Sequence, residues 1–391
     1  MATMVRPGEG RALSDLIAES ARLAVEVLKP AADAIDESRS FPRKALSQLG
    51  NQGLLGLMVA KEFGGAGAGL WDMAMVLEQL AQGCSSTAMV VLMHYCATAV
   101  LSATAPAALK QSVLPAIVRG DHLSTLAFSE AGSGGHFYFP VSQARRQDGK
   151  VTLDALKSFV TSAGEADSYI VSTRHPQAAS AQESDLYFVP RASTGIEITS
   201  PFQGLGLAGN ASAAMRLSGV TVPHHNLLGT EKSGFSTMLA VVLPHFQIGS
   251  AAVSLGIAKA AFDQTVEQVS SRKYEHAGPS DLAHIPRVQF LIAEMAIELR
   301  SGRAYLLEAI RKATAGEADA ILDVLAAKAK AAEVSLAVVS RAMTLGGGRA
   351  FGRRGGLERL FRDAQASAVM APSTDVLKDF IGKAALGLPL F

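Results

Sequence analysis

The sequence predicts an α+β fold in which one β module lies between two helical blocks. Apolar residues recur at helical spacing before residue 126 and again after Gly234, whereas short alternating runs bounded by Gly, Pro and Asn fill the stretch between them. Because the strands are grouped rather than alternating with helices, this order is not that of a doubly wound sheet. We predict an N-terminal helical domain (1–125), a middle β domain (126–235) and a C-terminal helical domain (236–391).

The first block reads as successive helices. Ser14 is a predicted N-cap before apolar residues at helical spacing, and Pro30 is predicted to bend or stop that helix. Residues 53–70 change from a helical pattern to a glycine-rich loop. Helical spacing then returns from Trp71 to Leu101.

The middle block shows strand signals in residues 186–192, 195–200 and 213–223, where apolar and polar residues alternate between turn residues. Beyond Gly234 the chain is rich in alanine and helical in pattern as far as residue 385.

Composition narrows the class of protein. Hydrophobic residues make up 49% of the 391 residues and charged residues 18%, so we expect apolar surface to be hidden in an oligomer interface. A formal net charge of +1 without a Lys/Arg run argues against nucleic-acid binding. The apolar stretches 86–109 and 238–261 contain His and Pro, so we predict no membrane span.

Other features of the sequence argue against a secretory signal, a disulfide and a metal site. The first residues contain no apolar segment typical of a secretory signal, so a cytoplasmic location is expected. Cys84 and Cys96 lie in helix-like sequence and are predicted to be small buried residues rather than a disulfide or a metal pair. We predict no metal site.

Two short segments could carry chemistry. Residues 126–139 contain Gly132, Gly134 and Gly135, which permit positive φ angles and close backbone approach to a ligand. Alone, this segment is more typical of an ordinary glycine turn between a helix and a strand. In residues 154–167, Phe159 precedes Thr161 by two positions, so both would point to one face if the run is extended. Taken alone, Phe159 is more typical of a core residue than of a cofactor contact.

Together these segments resemble the acyl-CoA dehydrogenase family. Residues 129–135 are similar to its T-E-P-x-x-G-S pattern and residues 157–162 to K-x-W-I-T-N. The resemblance implies an acyl-CoA dehydrogenase-like fold whose middle domain is β-barrel-like and whose C-terminal domain is a four-helix bundle. Further similar segments occur along nearly the whole chain: 53–70, 220–235, 255–264, 345–351 and 358–364.

The resemblance implies a bound FAD. Phe128 and Ser129 would meet the pyrimidine edge of the flavin, and Gly134 and Gly135 would lie near the pyrophosphate. The family usually has serine in place of Gly135 and aspartate in place of His136. Those missing side-chain hydrogen bonds would weaken FAD binding.

The resemblance also assigns residues farther along the chain. Phe159 would stack beside the isoalloxazine and Thr161 would donate a hydrogen bond near N5. Arg272 would reach the FAD of a neighbouring subunit, since its fork suits a pyrophosphate, and Gly347 and Gly348 would contact that same cofactor. A homotetramer or homodimer is therefore expected.

The family's catalytic base is missing. In the family a glutamate takes the α-proton of an acyl-CoA thioester while the flavin accepts a hydride, and removing a general base typically costs about 100- to 10,000-fold in rate. Counting from the Arg-Asp-Ala motif at 362–364 places the base at Ala371. The alternative base and arginine positions of some relatives fall on Phe246 and Gln247.

Four other residues are candidates for the base, and each also has an ordinary structural interpretation. Asp375 lies one turn beyond Ala371, where aspartate also suits the first turn of a helix. His245 precedes Phe246, and His136 lies in the flavin loop. His94 is the fourth. We rank His245 and Asp375 first.

Three functions fit these features. The first is an acyl-CoA dehydrogenase-type flavoenzyme of fatty acid metabolism whose base lies elsewhere or whose substrate needs none. Its electrons would pass to a flavoprotein or to oxygen. The second is a flavin monooxygenase of the same fold; its His-Asp-Pro motif is reduced here to Met370-Ala371-Pro372. The third is a non-catalytic subunit that completes a partner's site through Arg272. We favour the first.

Overall fold

The computed structural model describes residues 12–201, 203–273, 282–353 and 355–389. The N-terminal part consists of helices connected by short loops. These are α1 (Leu13–Leu23), α2 (Lys29–Ser38), α3 (Arg43–Asn51), α4 (Leu70–Gly83), α5 (Ser85–Thr104) and α6 (Ala107–Val118).

Two details of the first helix differ from the sequence-based expectation. Helix α1 begins at Leu13 with Ala12 as its N-cap, and no side chain caps it. The prediction of Ser14 as N-cap was therefore wrong, because Ser14 already lies inside the first turn. Ahead of Pro30, the five residues Ala24–Leu28 form a π-helical segment that joins α1 to α2, and Pro30 stands in the first turn of α2, where its missing N–H is tolerated.

The middle part contains two four-stranded sheets. One has the order β1-β4-β5-β8, in which β1 and β4 are parallel; the other has the order β2-β3-β7-β6 and is antiparallel throughout. The three predicted strands are confirmed as β5, β6 and β7. The strands are β1 (Ser124–Ala127), β2 (Arg145–Gln147), β3 (Lys150–Val160), β4 (Ser168–Arg174), β5 (Ser184–Pro190), β6 (Ile196–Pro201), β7 (Ala213–Pro223) and β8 (Leu227–Leu228).

The C-terminal part is helical, and the predicted four-helix bundle is formed by α8, α9, α10 and α11. Helix α8 runs parallel to α10, since Phe246 near its start lies beside Lys328 and Gln268 near its end lies beside Gly346. The helices are α7 (Gly234–Thr237), α8 (Leu243–Ser271), α9 (Pro286–Ala315), α10 (Ala320–Phe351), α11 (Leu357–Val369) and α12 (Thr374–Ala385).

Helix α5 and the helical stretch that contains α8 supply the centre of the core. Ser85–Thr104 and Gly234–Ser271 are long and apolar enough to cross a membrane, but most of each is buried inside this protein. Cys84 and Cys96 are buried free thiols, as expected from the sequence. The apolar composition is thus largely used to pack α5 and α8 against their neighbours.

Candidate functional site

The two motifs that resemble flavin-binding segments lie side by side. The backbone N–H of Ser158 donates to the carbonyl of Ser129 over 2.8 Å. Glu130 and Lys157 form an antiparallel bridge at the same point. Strand β1 and the bent end of β3 therefore bring Ser129 and Phe159 into one neighbourhood.

A buried ion pair fixes this junction. Lys157 is fully buried, and its Nζ lies 2.5 Å from Glu130 Oε1 and 2.6 Å from the Ser172 carbonyl. Glu130 also accepts from the N–H groups of Val141 (3.0 Å) and Ser142 (2.7 Å). Although burial opposes ionisation, the charge of Lys157 and these hydrogen bonds hold the pKa of Glu130 below its usual value.

Phe159 is an exposed aromatic on an unusual backbone. Its side chain is 64% exposed, and its φ of +53° lies in the left-handed region that a bulky residue rarely adopts. The register of β3 against β7 shifts between Lys157 and Val160, so Phe159 occupies a β-bulge. An aromatic ring held outward at the cost of backbone strain is typical of a ligand-contacting position.

The extended run assumed for residues 154–167 ends here. Strand β3 stops at Val160, and Thr161 is buried while Phe159 is exposed, so the two side chains do not share one strand face. The bulge is the physical reason, because one extra residue reverses the alternation of side chains. The interpretation of Phe159 as an ordinary core residue is likewise wrong.

A loop at 207–212 supports the residues after Phe159. Thr161 Oγ1 lies 3.3 Å from Ser212 Oγ, and the N–H of Ser162 donates to the Asn210 carbonyl over 2.9 Å. The start of this loop is anchored by Asp363, whose Oδ1 accepts from the Leu207 N–H over 2.6 Å. The Arg-Asp-Ala motif on α11 thus contributes to the shape of the loop that supports the residues after Phe159.

The glycine loop lies against the first turn of α12. Gly134 has a φ of +55° and open space where a side chain would be. A Cβ at Gly135 would meet Val376 at 3.6 Å, in ordinary contact. Phe128 is buried with its ring stacked 6.2 Å from that of Phe137. Since its side chain is in the core, Phe128 can offer a ligand its backbone but not its ring.

The expected base position is half-buried and held by a lysine. Lys328 on α10 is 1% exposed, and its Nζ donates to the carbonyls of Met370 (2.8 Å) and Pro372 (2.6 Å), which flank Ala371. The ring of Phe246 lies 6.0 Å from Nζ. Burial lowers the pKa of Lys328 to about 7.

Sequence reasoning missed Lys328, although the pattern holds a signal. Val324 and Ala332, one turn to either side, are both buried, so Lys328 is a charged residue within an apolar helical stripe. A lysine in such a stripe needs a buried partner, which here is backbone carbonyl rather than carboxylate.

Two of the base candidates have mainly structural surroundings. His94 is fully buried; its Nδ1 accepts from the Ser124 N–H (3.1 Å) and its Nε2 donates to the Leu55 carbonyl (3.2 Å). Burial lowers the pKa of His94 to about 4. Exposed His136 forms a hydrogen bond between its Nδ1 and the Tyr138 hydroxyl at 2.8 Å.

The two preferred candidates differ in their surroundings. Asp375 is exposed in the first turn of α12, the position that also suits the helix dipole. His245 is half-buried, and its Nδ1 donates to the Val241 carbonyl over 2.6 Å, which leaves the lone pair on Nε2. Burial lowers the pKa of His245, so its imidazole is neutral near pH 7.

The residues expected to reach a neighbouring subunit lie together at one end of the bundle. Arg272, at the end of α8, lines a small cavity with Leu345 and Arg349 of α10. Between Leu345 and Arg349, Gly347 interrupts α10 with a φ of +57°. A Cβ added at Gly347 or at Gly348 would have no other atom within 4 Å, so the backbone here is open. This open backbone next to an arginine could approach a phosphate closely.

The residues present fit a flavin. An exposed aromatic, an adjacent hydroxyl at Thr161, a half-buried Ser129 and an open glycine loop occur on connected segments. Within the described ranges, no group of three His, Cys, Asp or Glu side chains is arranged to hold a metal ion.

The chain matches three domain families along its length. They are described as the acyl-CoA dehydrogenase N-terminal domain (residues 12–121), middle domain (125–220) and C-terminal domain (232–386).

Among similar proteins is the cyclohex-1-ene-1-carbonyl-CoA dehydrogenase of Syntrophus aciditrophicus, 27% identical over 93% of this chain and 87% of that protein. The acryloyl-CoA reductase (NADH) of Anaerotignum propionicum is 26% identical over 94% and 93% of the two chains. Butyryl-CoA dehydrogenase from Megasphaera elsdenii has the same fold, with a TM-score of 0.90 at 22% identity over 98% of this chain and all of that one. The FAD complex of PigA gives 0.88 at 21% identity, again over 98% and 100%.

Proposed function

The chain belongs to the acyl-CoA dehydrogenase family, and we propose that it uses FAD to oxidise or reduce an acyl-CoA thioester or a similar substrate. The observation that carries this proposal is Phe159, an exposed aromatic on a left-handed bulge beside Thr161 and Ser129. An exposed aromatic ring on a strained bulge is typical of a ligand-contacting position, and a planar cofactor would stack on it.

The residues around Phe159 would hold the cofactor. Ser129 and Thr161 would supply hydroxyl and backbone groups to the flavin, and the loop at Gly134 and Gly135 would approach the pyrophosphate. FAD, when bound, supplies a hydride acceptor or donor at the β-carbon of the thioester. The buried Glu130–Lys157 pair would keep this frame in place.

Removal of the α-proton requires a base other than residue 371. His245 is the candidate that the surroundings support best, because its Nδ1 is anchored, its ring is neutral and Nε2 is free to accept a proton. It directly precedes Phe246, whose ring lies beside Lys328 and hence close to the base segment. Asp375 is the second candidate.

Membership of the family also supports proposals for the oligomeric state, the electron partner, the location and the metabolic role. We propose a homodimer or homotetramer in which Arg272, Gly347 and Gly348 complete the cofactor site of the adjacent subunit. The electron partner would be a flavoprotein or oxygen, and the location cytoplasmic. A role in fatty acid metabolism fits an acyl-CoA substrate.

One observation favours a second function. Ala371 carries no carboxylate, while the residues for the adjacent subunit's cofactor remain clustered at the end of the bundle. A non-catalytic subunit that completes the site of a catalytic partner would show both features.

The deciding experiment has two stages. The purified protein is incubated with FAD, and bound flavin is extracted and identified; absence of flavin would contradict the proposal. The loaded protein is then mixed with saturated and unsaturated acyl-CoAs without oxygen while the visible absorbance of oxidised or reduced flavin is followed.

Variants then locate the base. We expect His245→Ala to slow flavin reduction by about 100-fold or more, while Asp375→Asn changes it little. Both should retain FAD. In contrast, Ala371→Glu/Pro372→Gly should gain activity, since it restores a carboxylate on a flexible backbone. A flavin-loaded protein inert to acyl-CoAs in every variant would favour the non-catalytic subunit.

A further inference from the structure

A buried amine holds the segment where the family's base is missing. Lys328 Nζ donates to two carbonyls, those of Met370 and Pro372, and therefore binds the backbone on both sides of Ala371. Within the described residues, Lys328 has no carboxylate at ion-pair distance. Its hydrogen bonds are therefore directed at backbone, and they constrain the position of the backbone itself.

The held segment leads directly to the flavin loop. Ser373 follows Pro372 and caps α12, because its hydroxyl accepts from the Val376 N–H at 3.5 Å. Val376 in turn lies next to the glycine loop, since a Cβ added at Gly135 would meet its side chain at 3.6 Å. A short path thus connects Lys328 through the start of α12 to the glycine loop.

A lysine at the buried position 328 is unfavourable for the free energy of folding. Burying an amine without a carboxylate partner costs free energy, and the lowered pKa of Lys328 has the same cause. An apolar side chain of similar volume would avoid that cost but could not bind carbonyls. The hydrogen bonds to Met370 and Pro372 are what the lysine adds.

We propose that Lys328 is a positioning residue that fixes residues 370–376 against the flavin loop. It acts through the backbone around Ala371 and through the first turn of α12, and it does not take part in proton transfer. The inference rests on the proposed function in that the loop at Gly134 and Gly135 is taken to bind FAD.

Lys330 provides a matched control on the same helix. It lies two residues further, is half-buried and pairs with Glu298 of α9 at 3.0 Å. Its substitution removes one lysine charge from α10 but touches neither the base segment nor the glycine loop.

The experiment compares Lys328→Met with Lys330→Met in the full-length protein. Hydrogen exchange followed by mass spectrometry is measured with and without FAD, and FAD affinity is measured by fluorescence titration. We expect Lys328→Met to increase exchange selectively in peptides covering residues 366–380 and 130–138, and to weaken FAD binding about tenfold. Lys330→Met should match the wild type in both.

Each outcome decides the inference. Unchanged exchange at 366–380 in Lys328→Met, or faster exchange spread evenly over the bundle with FAD affinity intact, would overturn it. If Lys328→Met does not fold, Lys328→Leu, which also lacks a donor, is measured in its place and read in the same way. Lys328→Gln keeps amide donors on a shorter side chain, so its exchange at 366–380 should lie between that of the wild type and that of the donor-free variant. A wild type that binds no FAD contradicts the proposed function alone, since local exchange without FAD still tests whether Lys328 fixes this segment.

Discussion

Two buried lysines hold the two halves of the site, and they differ in their partners. Lys157, at the flavin-facing segment, faces the carboxylate of Glu130, and that carboxylate takes further hydrogen bonds from backbone and from Ser142. Lys328, at the base segment, donates to the carbonyls of Met370 and Pro372 and has no carboxylate at ion-pair distance among the residues that the structure describes. The positive charge of Lys157 is compensated by a carboxylate, whereas that of Lys328 interacts with the dipoles of two backbone carbonyls.

This difference indicates at which of the two segments a residue can be replaced without loss of support. Removing either member of the Glu130–Lys157 pair leaves an unpaired buried charge, so both are constrained together. The base segment is held by backbone atoms that every residue possesses. Residue 371 can therefore be alanine without disturbing its support.

The largest effect that would test this comparison is expected from Lys157→Met. The variant leaves the Glu130 carboxylate buried without its cation, which should lower the free energy of unfolding by about 3–5 kcal/mol. Urea denaturation followed by circular dichroism measures it. FAD binding should be lost in parallel, because Ser129 and Phe159 are placed by the same junction.

The double variant Glu130→Gln/Lys157→Met is the control. With both charges removed, stability should recover substantially, since the penalty comes from the unpaired charge rather than from the missing contact. If the single and double variants are equally destabilised, the pair is not held together by charge compensation.

The second prediction concerns how the stability contributed by Lys328 depends on pH. The pKa of Lys328 is about 7 in the folded protein against an ordinary 10.5, so between these values the unfolded chain binds more protons. The free energy of unfolding of the wild type relative to Lys328→Met should therefore rise from pH 7 to pH 10, by at most about 1.4 kcal/mol per pH unit. Below pH 7 the difference should be constant.

Denaturation at several pH values checks this, and taking the difference from Lys328→Met cancels most other titrating groups. A flat difference between pH 7 and pH 10 would show that the two carbonyls keep the amine protonated. Lys328 would then keep its charge over this range without a carboxylate partner among the described residues, and the contrast between the two halves would be weaker than proposed.

The sequence predicted the parts of the molecule that depend on local pattern. The α–β–α order, strands β5 to β7 and the helical C-terminal part follow from residue periodicity, which tertiary contacts do not override here. The resemblance led to Phe159 and Ala371 because those positions are defined by nearby motifs. Their surroundings depend on contacts distant in sequence and could not be derived in this way.

Three examples show what was missing. The bulge at Phe159 arises from the pairing of β3 with β7, more than fifty residues apart in the chain. Asp363 shapes the loop at Leu207 across an even longer separation. The carbonyl contacts of Lys328 involve residues 370 and 372, and a periodic pattern reveals only that a lysine is buried, not what it binds.

The smallest predicted effect concerns the strain at Phe159, two residues beyond Lys157. Glycine adopts a φ of +53° without penalty, whereas phenylalanine does so at a cost of roughly 1–2 kcal/mol. Phe159 is also 64% exposed, so its replacement removes little packing. Phe159→Gly should therefore stabilise the flavin-free protein by up to about 1 kcal/mol, the gain being reduced by the greater freedom of glycine in the unfolded chain. FAD affinity should fall at the same time, since the stacking ring is gone.

Thermal unfolding without flavin measures the stability of the Phe159→Gly apoprotein, and fluorescence titration with FAD measures its affinity for the cofactor. Phe159→Ala is the control: it removes the ring but retains a Cβ, so it should weaken FAD binding without stabilising the apoprotein. If Phe159→Gly destabilises the apoprotein, the ring contributes packing that outweighs its strain, and the bulge belongs to the rigid frame around Lys157 rather than to the surface that this frame presents to the cofactor.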